Sequence, residues 1–251
     1  MFMYDYIAVS EISKEIKNSA QLLKSLDINA LIVGDSGVGK KALAKFIANE
    51  ATIYDAKELQ HDISDNVVNF TETTVIIDKI ENITNIDLLI NWIEQNSIKV
   101  IATTTKNDLN KKLEELFSIT LEIPPLEERK EDIKPLATKF SKEASQVLAI
   151  ETKPSKLIIN TKNNAHSLRK SIYFSYLFES IGENEIMMLL EKFMLDNMEG
   201  ENSYRDFLYL FEAPLLKSSQ KKYKSQVQMA KNLGLNRITL RKKLETHKDL
   251  L

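Results

Sequence analysis

The first half of the chain alternates short apolar runs with stretches whose apolar residues recur every three or four positions. The apolar runs have the length and β-branched content of strands buried on both faces, and they cover residues 30–33, 73–78 and 99–104. Helical spacing surrounds these runs, over residues 8–26, 42–48 and 85–96. Strands that alternate with helices favour an α/β fold with a parallel sheet covered on both sides.

A different pattern begins at Ile123-Pro124-Pro125-Leu126, where the alternation of strands and helices stops. Beyond it the chain predicts only helices, over residues 131–148, 156–160, 167–180, 185–197, 204–217, 225–233 and 237–246. The polar stretch 198–203 contains a glycine and is typical of a linker. We therefore predict an α/β domain over residues 1–135, an all-α lid over 136–199 and a small all-α domain over 200–251.

A glycine-rich turn follows the first predicted strand, and its residues are Gly34, Asp35, Ser36, Gly37, Val38, Gly39, Lys40 and Lys41. Glycines let successive N–H groups point at one spot, and the helix that follows adds the positive end of its dipole. We predict that these residues bind a nucleotide, ATP or ADP, with Lys40 at its β- and γ-phosphates. The next residue is usually a serine or threonine that ligates magnesium, but here it is Lys41.

The second predicted strand ends in an acid, Asp78, at the same edge of the sheet as the glycine-rich turn. We predict that this carboxylate holds a magnesium ion, directly or through water. In nucleotide hydrolases of this layout a glutamate comes next and polarises the attacking water. Lys79 stands in that place, and its ammonium cannot act as a base at neutral pH, so we assign no catalytic residue.

Charge is distributed unevenly along the chain. The formal net charge is −2, yet from Lys217 to Lys248 there are ten basic residues and one acid, Glu245. This segment also predicts a helix, a turn at Gly234 and a second helix, which is the pattern of a helix-turn-helix. A basic excess on such a pattern indicates binding to the phosphates of double-stranded DNA. The residues predicted to contact DNA are Asn236, Arg237, Thr239, Arg241, Lys242 and Lys243.

Four runs, GDSGVGKKALAKFIA, VIIDKIENI, KVIATTTKNDL and IPPLEERKEDI, resemble the AAA+ domain of NtrC-type activators of sigma-54 RNA polymerase, and the last run is the most specific. The resemblance implies a three-layer P-loop core and a helical lid over about residues 5–197. It also implies that Lys40 is the Walker A lysine and Asp78 the Walker B aspartate. Thr105 would occupy the sensor-one position, and Arg169 would be the lid arginine that senses the γ-phosphate.

The C-terminal runs FLYLFEAPLL and LNRITLRKKL resemble the Fis-type DNA-binding domain, which implies a homodimer that presents two reading helices to successive major grooves.

The chain also departs from the NtrC-type pattern at positions that bear on its activity. The GAFTGA loop that grips sigma-54 in that family does not fit within residues 51–71, and residues 113–120 contain no arginine finger. Together with Lys79, these losses imply nucleotide binding without efficient hydrolysis.

The composition indicates the cellular compartment of the protein. The chain has no cysteine, which excludes disulfides and suits a reducing compartment, and no apolar run approaches the length of a membrane span. We expect a cytoplasmic bacterial transcription regulator, a homodimer or higher homo-oligomer, that does not engage sigma-54 directly; RNA polymerase is a further candidate partner and no membrane is expected. Two alternatives stay open. One is an active AAA+ ATPase that remodels sigma-54 RNA polymerase, and the other is a Fis-like architectural DNA-binding protein whose AAA+ part is only a scaffold.

Overall fold

The computed structural model describes residues 5–65, 73–105 and 109–251 of the chain. The chain divides into two compact units, Met1–Ser180 and Ile181–Leu251. The domain boundaries predicted after residues 135 and 199 differ in position from this division and stay predictions. Within the described ranges, no helix is both long enough and apolar enough to cross a membrane.

The first unit is built on a five-stranded sheet in which every neighbouring pair of strands is parallel. Its strands are β1 (Ala30–Val33), β2 (Ile53–Asp55), β3 (Thr74–Asp78), β4 (Lys99–Thr104) and β5 (Ile119–Glu122). Their order across the sheet is β2-β3-β4-β1-β5. The three predicted strands are the three inner ones, and the predicted α/β fold with a parallel sheet is confirmed.

Both faces of the sheet are covered by helices. The helices of this unit are α1 (Glu11–Leu23), α2 (Lys40–Ile47), α3 (Ala56–Ser64), α4 (Ile86–Asn96), α5 (Lys111–Glu114), α6 (Ile133–Leu148) and α7 (Asn164–Ser180). Successive side chains of a strand point to opposite faces. Val75 and Ile77 of β3 accordingly pack in one buried cluster with α3 and α4, whereas Ile76 packs in the other with α1 and α2. Burial on two faces explains the continuous apolar runs in the sequence.

Beyond the sheet, α6 and α7 pack on each other around Phe140, Leu168 and Tyr176. The helix predicted over residues 156–160 is wrong, because this segment runs without helical structure. Its amide groups are taken by hydroxyls of α7: the Ile158 N–H donates to Ser175 Oγ at 2.8 Å, and the Asn160 N–H donates to a second serine of that helix at 3.3 Å. Amides bonded in this way are not available for an internal helical ladder.

The second unit is all-α. Its helices are α8 (Glu183–Asn197), α9 (Ser203–Phe207), α10 (Tyr209–Lys222), α11 (Gln226–Asn232) and α12 (Arg237–Thr246). The helix predicted over residues 204–217 is interrupted at one residue, Leu208, where α9 ends and α10 begins. A small buried core of Leu216, Met229, Ala230 and Leu240 joins α10, α11 and α12. The predicted helical C-terminal region is therefore present.

Candidate functional site

The glycine-rich turn lies between β1 and α2, as its sequence predicts. Gly34 has a φ of 149°, and a Cβ at this position would lie 2.5 Å from the carbonyl oxygen of Ile123. Gly37 has a φ of 79°, and a Cβ there would lie 2.8 Å from the ring of His166. Glycine is therefore required at both positions by the backbone conformation and by the close approach of neighbouring segments.

The side chain of Lys40, the first residue of α2, folds back over the glycine-rich turn, a loop that begins at Gly34. Its Nζ donates to the carbonyl oxygens of Gly34 at 2.6 Å and Asp35 at 2.8 Å. Burial lowers the pKa of the Lys40 ammonium below its ordinary value, although the nearby carboxylates of Asp78 and Glu81 act in the opposite direction. The ammonium thus lies within the loop, where the sequence predicts contact with phosphate.

Lys41, the next residue, reaches across to the neighbouring element. Its Nζ lies 2.8 Å from Asp78 Oδ2 at the end of β3. The second carboxylate oxygen, Oδ1, accepts a hydrogen bond from Thr103 Oγ1 at 2.7 Å. The Asp78 side chain is only 7% exposed, whereas that of Lys41 is 49% exposed. Asp78 is therefore a buried carboxylate with both oxygens engaged by protein groups.

These contacts do not fit the magnesium ion predicted at Asp78. Magnesium requires oxygen ligands in an octahedral arrangement, and in related sites one of them is the hydroxyl that follows the Walker A lysine. Here the corresponding side chain is an ammonium, a donor without a lone pair, and it occupies the carboxylate oxygen that a metal would use. The ion pair of Lys41 and Asp78 thus stands where the metal-binding groups are expected.

Lys79, the residue after Asp78, pairs with a carboxylate of another strand. It adopts a left-handed conformation with a φ of 58°, and its Nζ lies 3.5 Å from Asp55 Oδ2 at the end of β2. Its backbone N–H donates to Thr103 Oγ1 at 3.3 Å. The position that holds the water-polarising glutamate in related sites is thus occupied by a cation paired with a different strand.

A carboxylate that the sequence analysis missed, Glu81, lies in the short turn after β3. Its Oε1 accepts hydrogen bonds from Thr105, at 2.8 Å from the hydroxyl and 3.2 Å from the backbone N–H. The other oxygen, Oε2, is buried and has no hydrogen-bond partner among the residues described. Burial alone would raise the pKa of Glu81, but the hydrogen bonds outweigh it and lower the pKa. The residue predicted at the sensor-one position therefore holds an ionised carboxylate.

The start of α7 contacts the loop directly. The Asn164 side-chain amide donates to the carbonyl oxygen of Ser36 at 3.0 Å, and the Ala165 N–H donates to that of Gly37 at 3.0 Å. Asn164 Oδ1 also accepts from the Leu126 N–H at 2.8 Å. This asparagine is buried and has a φ of 49°. It links the glycine-rich turn to residues 123–126, a role that no pattern in the sequence indicates.

The charged residues within the IPPLEERKEDI run include a buried pair. The Arg129 guanidinium donates to the carbonyl oxygens of Pro124, at 3.0 Å, and Val38 in the loop. It also pairs with Asp132, which accepts from the N–H groups of Val9 at 2.6 Å and Ser10 at 2.9 Å. Burial would raise the pKa of Asp132, but the hydrogen bonds and the Arg129 charge together lower it. The run thus joins the loop to the segment before α1.

Arg169, the predicted γ-phosphate sensor, is paired within the helical part of the first unit. Its Nε donates to Glu143 Oε1 at 2.7 Å, and the guanidinium lies over the ring of Tyr173, 5.3 Å from its centroid. The Tyr173 hydroxyl donates to the same carboxylate oxygen at 2.7 Å. The side chain of Arg169 is 53% exposed. Its sensing role stays a prediction, since these hydrogen bonds connect α6 and α7 rather than the loop.

The second unit carries the residues predicted to contact DNA. Asn236 caps α12, with its Oδ1 accepting from the Thr239 N–H at 2.7 Å. Asn236, Arg237, Arg241 and Lys242 are exposed, and Thr239 is half-buried. An apolar side chain that was not predicted, Ile238, is 82% exposed beside them.

Lys243 differs from the other predicted residues because its ammonium is paired with Glu212 of α10. The same carboxylate lies 2.9 Å from the ring nitrogen Nε2 of His247, which is buried. The hydrogen bond from Lys243 is the main reason why the pKa of Glu212 is lowered, with His247 adding to it against the opposing effect of burial. Lys243 therefore anchors α12 on α10, while its neighbours remain at the surface.

The parallel sheet of order β2-β3-β4-β1-β5, with the glycine-rich turn after β1, defines the AAA+ class of fold. Solved structures of NtrX from Brucella abortus share it. The complex with ATP has a TM-score of 0.57 and 15% identity over 96% of this chain and 68% of that one, and the complex with ADP has 0.59 and 15% over 98% and 69%. Residues 7–126 match the family described as the sigma-54 interaction domain. Among curated proteins, none matches the chain.

Proposed function

We propose that the chain is a cytoplasmic, bacterial DNA-binding transcription regulator with an AAA+ nucleotide-binding domain, a helical lid and a Fis-type helix-turn-helix. The observation that carries the regulatory part is the exposed cationic surface of α12. Arg237, Arg241 and Lys242 are exposed on this helix, which Asn236 caps and Lys243 holds to α10. A helix of this kind fits the major groove, with the lysines and arginines at phosphates and base edges.

Nucleotide binding is proposed for residues 34–41, with ATP or ADP as the ligand. Three features support it: the positive φ angles of the glycines, the position of Lys40 within the loop, and the start of α2 at that lysine. The NtrX structures were determined with ATP and with ADP, which agrees with this proposal.

We propose that hydrolysis is impaired. The carboxylate that polarises water in related sites is replaced by Lys79, whose ammonium lies near Asp55. Glu81 supports the second candidate, an active ATPase, because it is an ionised carboxylate whose charge acts on Lys40. Substitution of Glu81 by Gln separates the two functions. Measurable ATP turnover that falls in the variant favours the enzyme, whereas turnover at the background level in both proteins favours the regulator.

Direct contact with sigma-54 is not part of the proposal, although residues 7–126 match the sigma-54 interaction family. In the related activators, a GAFTGA loop on a pair of helices makes that contact. Between β2 and β3, the described residues form one helix, α3, and residues 66–72 of this connection lie outside the described part. The short connection supports a regulator that acts through DNA.

Self-association is proposed through the second unit. Large apolar side chains are exposed there, with Met188 on α8 at 68%, Tyr204 on α9 at 81% and Phe211 on α10 at 68%. Large exposed apolar side chains support a protein interface where they form one patch. A homodimer would present two copies of α12 to one DNA duplex, in keeping with the two-fold arrangement of helix-turn-helix proteins.

Removal of two charges from α12 tests the DNA-binding proposal. In the double variant Arg241→Ala/Lys242→Ala, we expect weaker binding to duplex DNA and a salt dependence, log K against log salt, that is shallower by about 0.9 for each phosphate that is no longer neutralised. The matched control is Lys111→Ala/Lys112→Ala, which removes the same charge from exposed positions of α5. Fluorescence anisotropy measures both slopes. Equal losses of affinity in the two variants, or no loss in either, would contradict the assignment of α12.

A further inference from the structure

We propose that Lys41 provides, from within the chain, the positive charge that magnesium provides in related sites, so that ATP or ADP binds here without a divalent metal. This inference rests on the proposed nucleotide function and concerns the same site. Its basis is the contact between Lys41 and Asp78, which join the start of α2 to the end of β3.

The ammonium groups of the two consecutive lysines of α2 have different partners. Lys40 Nζ lies against the loop carbonyls at 2.6 and 2.8 Å, whereas Lys41 Nζ lies 2.8 Å from Asp78 Oδ2. Asp78 cannot turn freely to another partner, because its other oxygen accepts from Thr103, which is fully buried on β4. The carboxylate therefore presents one oxygen to the site, and the ammonium occupies that oxygen.

A magnesium ion at this place would meet three obstacles. The Lys41 ammonium would have to leave Asp78, which separates an ion pair whose acidic partner is almost completely buried. No hydroxyl follows Lys40 to serve as a second ligand. The ion would also lie near the positive charges of Lys40 and Lys41, and like charges at short distance raise the free energy of binding.

The ammonium has the properties that the alternative requires. It carries three N–H donors, of which one is directed to Asp78, so the others can donate to phosphate oxygens. Its side chain is half-exposed, so it is open to a ligand. Lys41 can therefore bridge a phosphate and Asp78 while remaining in its place, as a magnesium ion does in related sites.

Titration of the chain with a fluorescent ATP derivative, once in EDTA and once in excess Mg²⁺, tests the inference. For the wild type we expect the two dissociation constants to agree within about threefold. For Lys41→Thr, which restores a hydroxyl ligand and frees Asp78, we expect binding in EDTA to be weaker than in Mg²⁺ by about tenfold or more. Lys41→Arg retains the cation and should remain independent of the metal. Lys142→Thr, at an exposed position of α6, is the matched control and should behave as the wild type.

The outcomes separate this inference from the function on which it rests. If the wild type fails to bind in either buffer, the nucleotide function is wrong and the inference falls with it. If the wild type binds only with Mg²⁺, the nucleotide function stands and the inference alone is overturned. This arm needs no variant, so it holds even where Lys41→Thr does not fold. Metal-independent binding by both the wild type and a folded Lys41→Thr, checked by circular dichroism, would overturn the role of Lys41.

Discussion

The buried ion pair of Arg129 and Asp132 offers the sharpest test of how the first unit is held together. We consider the substitution Asp132→Ala. The carboxylate accepts from the backbone N–H groups of Val9 and Ser10 at 2.6 and 2.9 Å, and from the Ser10 hydroxyl at 3.2 Å. It also accepts from the Ser13 hydroxyl and from Arg129, at 3.4 Å in the latter case. Alanine leaves all of these donors without that acceptor.

The expected cost follows from the burial of both charges. Asp132 is 0% exposed and Arg129 is 2% exposed, and removal of one partner from such a pair costs about 3–5 kcal/mol. Each orphaned donor costs about 1–3 kcal/mol, but all depend on one carboxylate, so these costs overlap and are not summed. Arg129 keeps its bonds to Pro124 and Val38. We therefore expect Asp132→Ala to lower the free energy of unfolding by about 4 kcal/mol.

Differential scanning calorimetry measures this change. For a unit of this size, 1 kcal/mol corresponds to about 2–4 °C, so the unfolding midpoint of the first unit should fall by about 8–16 °C. Glu131→Ala is the matched control, because Glu131 is the preceding residue and is exposed, and it should change stability by less than about 0.5 kcal/mol. A loss below about 1 kcal/mol in Asp132→Ala would refute the reasoning from the buried pair.

Three further predictions concern the same unit. The folded-state pKa of Asp132 is lowered, so its stabilisation is fully present above its unfolded pKa of about 3.9 and is lost as the pH falls through the folded value. The stability difference between the wild type and Asp132→Asn, followed by urea unfolding, should therefore shrink only below about pH 4. A difference that is independent of pH in that range would contradict this expectation. Gly37→Ala should destabilise the protein more than Gly200→Ala, since both glycines have a φ of 79° but only Gly37 has neighbours close to the added Cβ. The difference between the two losses of stability, about 1–3 kcal/mol by calorimetry, isolates the contact with the start of α7. Equal destabilisation would show that this contact is unimportant. Lys40→Ala should abolish nucleotide binding in titration calorimetry, whereas Lys57→Ala, at an exposed position of α3, should leave it unchanged; retained binding in Lys40→Ala would refute the assigned pocket.

The inner sheet could be predicted from the sequence because burial on two faces leaves continuous apolar runs. The edge strands were missed for the opposite reason: the three residues of β2 are all half-buried, and β5 alternates in its exposure. A short polar-and-apolar stretch of this kind cannot be distinguished from a loop by its pattern.

The candidate site divides in the same way. The loop and Asp78 were predictable from residue type and from the rule that binding groups lie at the carboxyl ends of parallel strands. The pairing of Lys41 with Asp78 was not, because it depends on how closely α2 approaches β3. Asn164 lies 128 positions from Ser36 in the chain, and its contact with the loop follows only from the folded arrangement. The buried roles of Arg129 and Asp132 were hidden for the same reason, since charged residues ordinarily lie at the surface.

Two hydrogen bonds from Lys40 Nζ to carbonyl oxygens of its own loop compete with an incoming anion for the ammonium. A phosphate can accept the third N–H of this ammonium directly, but one that takes more than that has to compensate for the loop bonds it breaks, so its affinity is the difference between the bonds that form and the bonds that break. A ligand with one phosphate has few oxygens with which to compensate, whereas a chain of two or three phosphates has more. Preference for polyphosphates would therefore arise from the resting arrangement of the pocket itself.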